Sequence, residues 1–75
     1  MNKRLKMLIE DAKKLVGIED NIRVILYPMK HKVASISFKT KTIRLNRDLA
    51  TRLDDDVLKY ILVHELIHLK VGTLA

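Results

Sequence analysis

The sequence predicts an α+β domain: an amino-terminal helix, a small, mainly antiparallel three-stranded sheet, and a carboxy-terminal helix. Apolar residues recur at helical spacing near both ends and alternate with polar ones in the middle, while Gly and Pro fall only at the ends of these runs. With 75 residues, 48% of them hydrophobic and 32% charged, the chain suits one compact domain rather than a disordered segment. A core of that size supplies only a few kcal/mol, so a metal, a partner subunit or further chain is expected to add stability.

Leu5, Leu8, Ile9, Ala12, Leu15 and Val16 form an apolar stripe over residues 3 to 16, and Gly17 stops the helix. Ile22, Val24 and Leu26 alternate with Arg23, Ile25 and Tyr27 until Pro28 ends a first strand. Ala34, Ile36 and Phe38 alternate with Ser35, Ser37 and Lys39 in a second strand, and Ile43 and Leu45 with Arg44 and Asn46 in a third. Short links between the strands imply an antiparallel meander, although Lys39-Thr40-Lys41 lacks the Gly or Asn of the commonest two-residue hairpins. Asn46 or Asp48 can cap a short helical turn through Leu49 and Leu53. Asp54, Asp55 and Asp56 then open a long helix from about Asp55 to Val71, with Gly72 as its stop. On a helical wheel Val57, Ile61, His64, His68 and Val71 share one arc and Leu58, Leu62 and Leu69 a second; Lys59 and Lys70 lie opposite, flanked by Val63 and Leu66. That helix is apolar around most of its circumference, so it should pack between the sheet and a second cover, for which the amino-terminal helix, a neighbouring chain or a further helix are candidates.

Composition narrows the function. Without cysteine, disulfides and thiolate metal sites are excluded, so a tightly held transition metal must use His and carboxylate ligands. The start Met1-Asn2-Lys3-Arg4-Leu5 lacks the apolar stretch of a signal peptide, which makes cytoplasm the expected location. The apolar run from Tyr60 to Leu69 is too short, and too interrupted by His64, Glu65 and His68, to cross a bilayer. The net charge of +6 is dispersed along the chain and only Tyr27, Phe38 and Tyr60 are aromatic, so nucleic acid is not the expected partner.

The chemistry lies in His64-Glu65-Leu66-Ile67-His68, an HExxH pattern inside a helix-forming apolar run. A helix advances about 100° per residue, so both imidazoles stand one turn apart on one face and can reach a single metal ion. Glu65, on the flank of that face, can touch a zinc-bound water without ligating the metal, as a general base must. The competing interpretation makes His64 and His68 hydrogen-bonded core residues and Glu65 a solvated flank. Against it, few nearby polar residues could satisfy two buried imidazoles and a carboxylate.

This helix, after three strands and an amino-terminal helix, resembles the gluzincin zinc metallopeptidases and their smallest members, the minigluzincins of the selecase type. The resemblance implies a zinc metalloendopeptidase acting on peptide or protein substrates. It implies His64 and His68 as zinc ligands and Glu65 as the base and acid that activates water. The third gluzincin ligand is a glutamate on the following helix, and no acidic residue follows Glu65. A metzincin pattern would need Gly and His where Val71 and Leu74 stand, so that reading fails. The missing carboxylate could come from another subunit, from the terminal carboxylate of Ala75 or from a carboxy-terminal segment; the last is expected, making residues 1–75 a minimal catalytic domain without the downstream helix. Such a form should bind zinc weakly and hydrolyse nothing.

In the same resemblance, substrate lies extended along an edge strand, for which Ala34 to Phe38 is the candidate. That open edge and the apolar helix flank predict a homo-oligomer. The rival function is a small oligomerising interaction protein with a structural or interface His pair. His31, between two lysines in a turn, is expected to be exposed, and Tyr60 to be a half-buried core residue. The acidic run is expected to start a helix rather than bind calcium, since the alternating oxygen ligands and turn glycine of a calcium loop are absent.

Overall fold

The computed structural model describes residues 3–72. Helix α1 (Lys3–Val16) precedes strands β1 (Arg23–Tyr27), β2 (Ala34–Ser37) and β3 (Thr42–Asn46), the single turn α2 (Arg47–Ala50) and helix α3 (Asp55–Val71). The architecture is the expected α+β one, with both long helices on one face of the sheet.

The sheet is mixed rather than a meander. Its order is β1-β3-β2, with β3 parallel to β1 and antiparallel to β2. The segment from Pro28 to Val33 carries the chain past the neighbouring position, and the β2–β3 hairpin folds back so that β3 fills the gap. Being bonded on both sides, β3 is the most buried strand, whereas every residue of β2 is half-exposed. The hairpin turns through residues 38–41, so Phe38 belongs to the turn rather than to β2. Lys41 there takes the left-handed backbone (φ 51) that a Gly or Asn would have signalled.

Thr42 and Asn46, polar residues of a central strand, are buried because each is hydrogen-bonded. The Thr42 hydroxyl donates to the Thr40 carbonyl (3.2 Å). Asn46 Nδ2 donates to the carbonyls of Met29 (3.2 Å) and Lys32 (2.9 Å), and its Oδ1 accepts from the N–H groups of Asp48 and Leu49, capping α2. Of the two proposed caps it is therefore Asn46 that serves, and α2 ends at Ala50 before reaching Leu53.

One core joins the layers: Leu5, Leu8, Ile9 and Ala12 of α1, Leu58, Leu62 and Leu66 of α3, Val24 of β1, and Ile43 and Leu45 of β3. Leu58, Leu62 and Leu66, spaced four apart, line the side of α3 turned to the core. Leu66 was expected beside the lysines and instead is fully buried, because α1 packs over that side of α3. Leu15, expected in the α1 stripe, is 69% exposed.

Two glycines end the long helices. Gly72 (φ 77) donates its N–H to the His68 carbonyl, and Gly17 (φ 82) donates to that of Lys13. Lys70 Nζ crosses from α3 to the Val16 carbonyl (2.7 Å), and Arg4 grips the other end, reaching Asp55 Oδ1 and the Ala50 and Leu53 carbonyls. No helix among the described residues is long and apolar enough to cross a membrane.

Candidate active site

His64 and His68 stand one turn apart on the side of α3 away from the core, beside β2. Their Nε2 atoms are 3.2 Å apart and their rings meet edge to face with centroids at 4.7 Å. His64 is exposed and His68 half-buried, so neither is a core histidine. The burial cost that argued for a metal from the sequence therefore does not apply, and the argument passes to geometry. Each imidazole has the other as its polar partner. The half-buried Glu65 carboxylate has no hydrogen bond or ion pair among the described residues.

The three residues line a groove of about 910 Å³ between α3 and β2. Leu53, Val57, Tyr60 and Ile61 form its apolar side and Val33 to Ile36 its strand side. Tyr60, expected in the core, is instead 71% exposed in this groove. Its position one turn before His64 was the available signal, and the assumption that an aromatic seeks the core misled. His31 is exposed, as expected, and lines a different pocket with Tyr27 and Arg44.

Asn46 N–H donates to the Val33 carbonyl (2.8 Å), and Ser35 and Ser37 pair with Arg44 and Thr42. In an antiparallel ladder bonded and non-bonded residues alternate, so Ala34 and Ile36 turn their N–H and C=O groups to the outer edge. No strand pairs with that edge among the described residues. A free strand edge thus runs beside the two histidines, as the choice of Ala34 to Phe38 anticipated, although Phe38 itself lies beyond the strand.

Among the described residues no three His, Cys, Asp or Glu side chains gather in a form that could hold a metal ion, so the candidate set is the histidine pair. The terminal carboxylate of Ala75, one suggested third ligand, lies outside the described residues.

The model of the YgjP-like metallopeptidase domain matches residues 1–72. The chain belongs to that family. Among solved structures, the metallopeptidase zymogen jannalysin of Methanocaldococcus jannaschii superposes with a TM-score of 0.87 at 39% identity, covering 100% of this chain and 67% of that one. The metallopeptidase zymogen abylysin of Pyrococcus abyssi gives 0.87 at 37% identity, covering 95% and 67%. An uncharacterized protein of M. jannaschii is 40% identical over 96% of this chain and one of Aquifex aeolicus 38% identical over 96%. The chain spans 66% of the length of these two curated relatives. The family and the solved structures agree with the minigluzincin resemblance, and a metallopeptidase family implies a metal cofactor.

Proposed function

We propose that this chain is the core of a zinc-dependent metalloendopeptidase, with His64 and His68 as metal ligands and Glu65 as general base. The Nε2 separation of 3.2 Å is the observation that carries the reading. Two nitrogens each about 2.0–2.1 Å from one tetrahedral zinc lie roughly 3.3 Å apart, so the pair fits with little rearrangement. When bound, the ion would polarise the scissile carbonyl and acidify the attacking water. Glu65, without a competing partner, takes the proton from that water and passes it to the leaving amine. The substrate backbone pairs with Ala34 and Ile36 on the β2 edge, which fixes the peptide across the groove.

A catalytic zinc takes three protein ligands, and a carboxylate from beyond residues 3–72 completes the set in this reading. The 75-residue form by itself then holds zinc weakly and turns over little or no peptide. Calorimetric titration of zinc into the chain tests the ligands: one weak site per chain is expected, lost in His64→Ala and His68→Ala and kept in Glu65→Gln. Zinc binding indifferent to both histidines would sink the reading. So would a zinc-loaded form of the protein whose peptide hydrolysis survives Glu65→Gln.

A second reading, an oligomerising interaction protein without catalysis, draws on the outer face of α3. Val57, Tyr60, Ile67 and Val71 are all exposed there around His64, and the histidine pair is satisfied by its mutual hydrogen bond. Under that reading Glu65→Gln changes no activity. It proposes self-association through this face, which light scattering at micromolar concentration checks.

A further inference from the structure

The net charge of +6 equals the basic excess of one segment, residues 21–46, which holds the three strands and the turns between them. Residues 21–46 carry Arg23, Lys30, Lys32, Lys39, Lys41 and Arg44 and no Asp or Glu; the other nine of the 15 basic side chains are matched by all nine acidic ones. Of the cations in residues 21–46, only Lys41 is paired with an acid among the described residues, Asp20 at 2.5 Å. The dispersal read along the sequence becomes an asymmetry in space, because these cations sit on the strands and the turns that join them, and the acids on the helices and the turns leading to them.

Part of this charge borders the free edge of β2. Lys32 precedes the strand, Lys39 follows it, and Arg44 is the β3 partner of Ser35. Lys32 and Ser35 line both the histidine groove and a second pocket of about 320 Å³ with Tyr27, Lys30, His31 and Arg44. The two cavities thus share Lys32 and Ser35 as common lining. Glu65 is the one carboxylate in either lining.

A strand added at this edge presents its side chains alternately to the two faces of the sheet. Those on the side of Ala34 and Ile36 meet the apolar wall of Leu53, Val57 and Ile61. Those on the side of Ser35 and Ser37 pass over side chains too small to block them and meet the cations.

We propose that β2 is the docking edge for acidic peptide segments, in which apolar residues alternate with Asp or Glu. The proposal deepens the peptidase reading and rests on it for the fate of the bound peptide, but the binding itself needs no metal. A nucleic acid would feel the same cations, yet it cannot pair with the Ala34 and Ile36 backbone. Tyr27, the aromatic of the second pocket, is moreover already covered by Arg44 at 5.5 Å.

The test is fluorescence anisotropy on the metal-free 75-residue chain with three labelled octapeptides alternating Leu with Glu, Gln or Lys. The Glu peptide should bind about tenfold more tightly than the Gln peptide at ~0.05 M salt, the Lys peptide least, with the preference collapsing near ~0.5 M. Lys32→Glu and Lys39→Glu, both at exposed positions, should each erase most of the preference, whereas Lys6→Glu, an equal charge change on α1, should not. Replacing one central Leu of the peptide by N-methyl-Leu should weaken binding, since strand addition needs that N–H.

Equal affinity for Glu and Gln peptides overturns the proposal. A Lys6→Glu effect as large as that of Lys32→Glu overturns it too, since total charge would then be the cause. Displacement of the peptide by a single-stranded oligonucleotide at lower concentration than by unlabelled Glu peptide reassigns the face to nucleic acid. Zinc binding by the chain that is indifferent to His64→Ala and His68→Ala counts against the peptidase reading alone, because the peptide binding is measured without metal.

Discussion

Replacing Asn46 with alanine removes four hydrogen bonds at a position only 6% exposed. Two of them cap α2, and losing a side-chain cap costs about 1 kcal/mol. The other two tie the carbonyls of Met29 and Lys32, in the segment entering β2, to the end of β3, at about 1 kcal/mol each. The expected total is about 2–3 kcal/mol, against a stability of about 4–11 kcal/mol for a domain this size. Urea unfolding followed by circular dichroism should register it, with a melting temperature lowered by roughly 10–20 °C. Asn46→Asp separates the two roles: it keeps an acceptor for the Asp48 and Leu49 N–H groups, but loses both donors and sets a carboxylate against two carbonyls. It should therefore still cost at least ~1 kcal/mol near neutral pH. A fully stable Asn46→Asp variant, or a loss below ~1 kcal/mol for alanine, would refute the reasoning. Because the same bonds hold Lys32 beside the groove, a folded Asn46→Ala chain should also bind the acidic octapeptide more weakly.

Other perturbations probe separate parts of the molecule. Leu62→Ala, at a fully buried position on the site-bearing helix, should cost about 2–5 kcal/mol; under 1 kcal/mol in urea unfolding would mean that α3 does not pack as described. Arg4→Ala should lose about 1–2 kcal/mol through its two carbonyl bonds, whereas Asp55→Ala should lose under 1 because that ion pair is exposed, so equal losses would contradict the account. The Lys41 ammonium, hydrogen-bonded to Asp20, holds that carboxyl below the usual range. With its folded pKa depressed, Asp20 stabilises the fold above its unfolded value of about 4 and loses that contribution as pH falls through the folded value. Asp20→Asn should thus lower the melting temperature slightly at neutral pH and not in strong acid; equal loss in both conditions counts against the bridge. Ile67→Lys, on the exposed face of α3, should shift light-scattering mass toward the monomer without lowering the melting temperature, and an unchanged oligomer would exclude that face.

The helices were legible because their information is local. Periodicity places α1 and α3, and Gly17 and Gly72 end them where a left-handed residue is required. The strands were legible as segments but not as a sheet: alternation reports which residues share a face and says nothing of which strand lies beside which. The burial of Thr42 and Asn46 in a central strand looked, along the chain, like the polar ends of an ordinary one. The outer face of α3 misled in the opposite sense. The wheel grouped Val57, His64 and Val71 correctly, but apolar character alone could not show that the core would take Leu58, Leu62 and Leu66 and leave the other arc to solvent.

The sequence by itself determined the candidate chemistry, because a separation of four residues on a helix sets His64 and His68 face to face whatever the rest of the chain does. Only the tertiary structure decided what that pair confronts. The insertion of β3 between β1 and β2 makes β2 an edge, brings its unpaired backbone beside the histidines, and sets Lys32 and Lys39 at its two ends with Arg44 on the neighbouring strand. Helix geometry is fixed within one turn, whereas strand order depends on which distant surfaces bury one another, and that is a property of the whole packed domain.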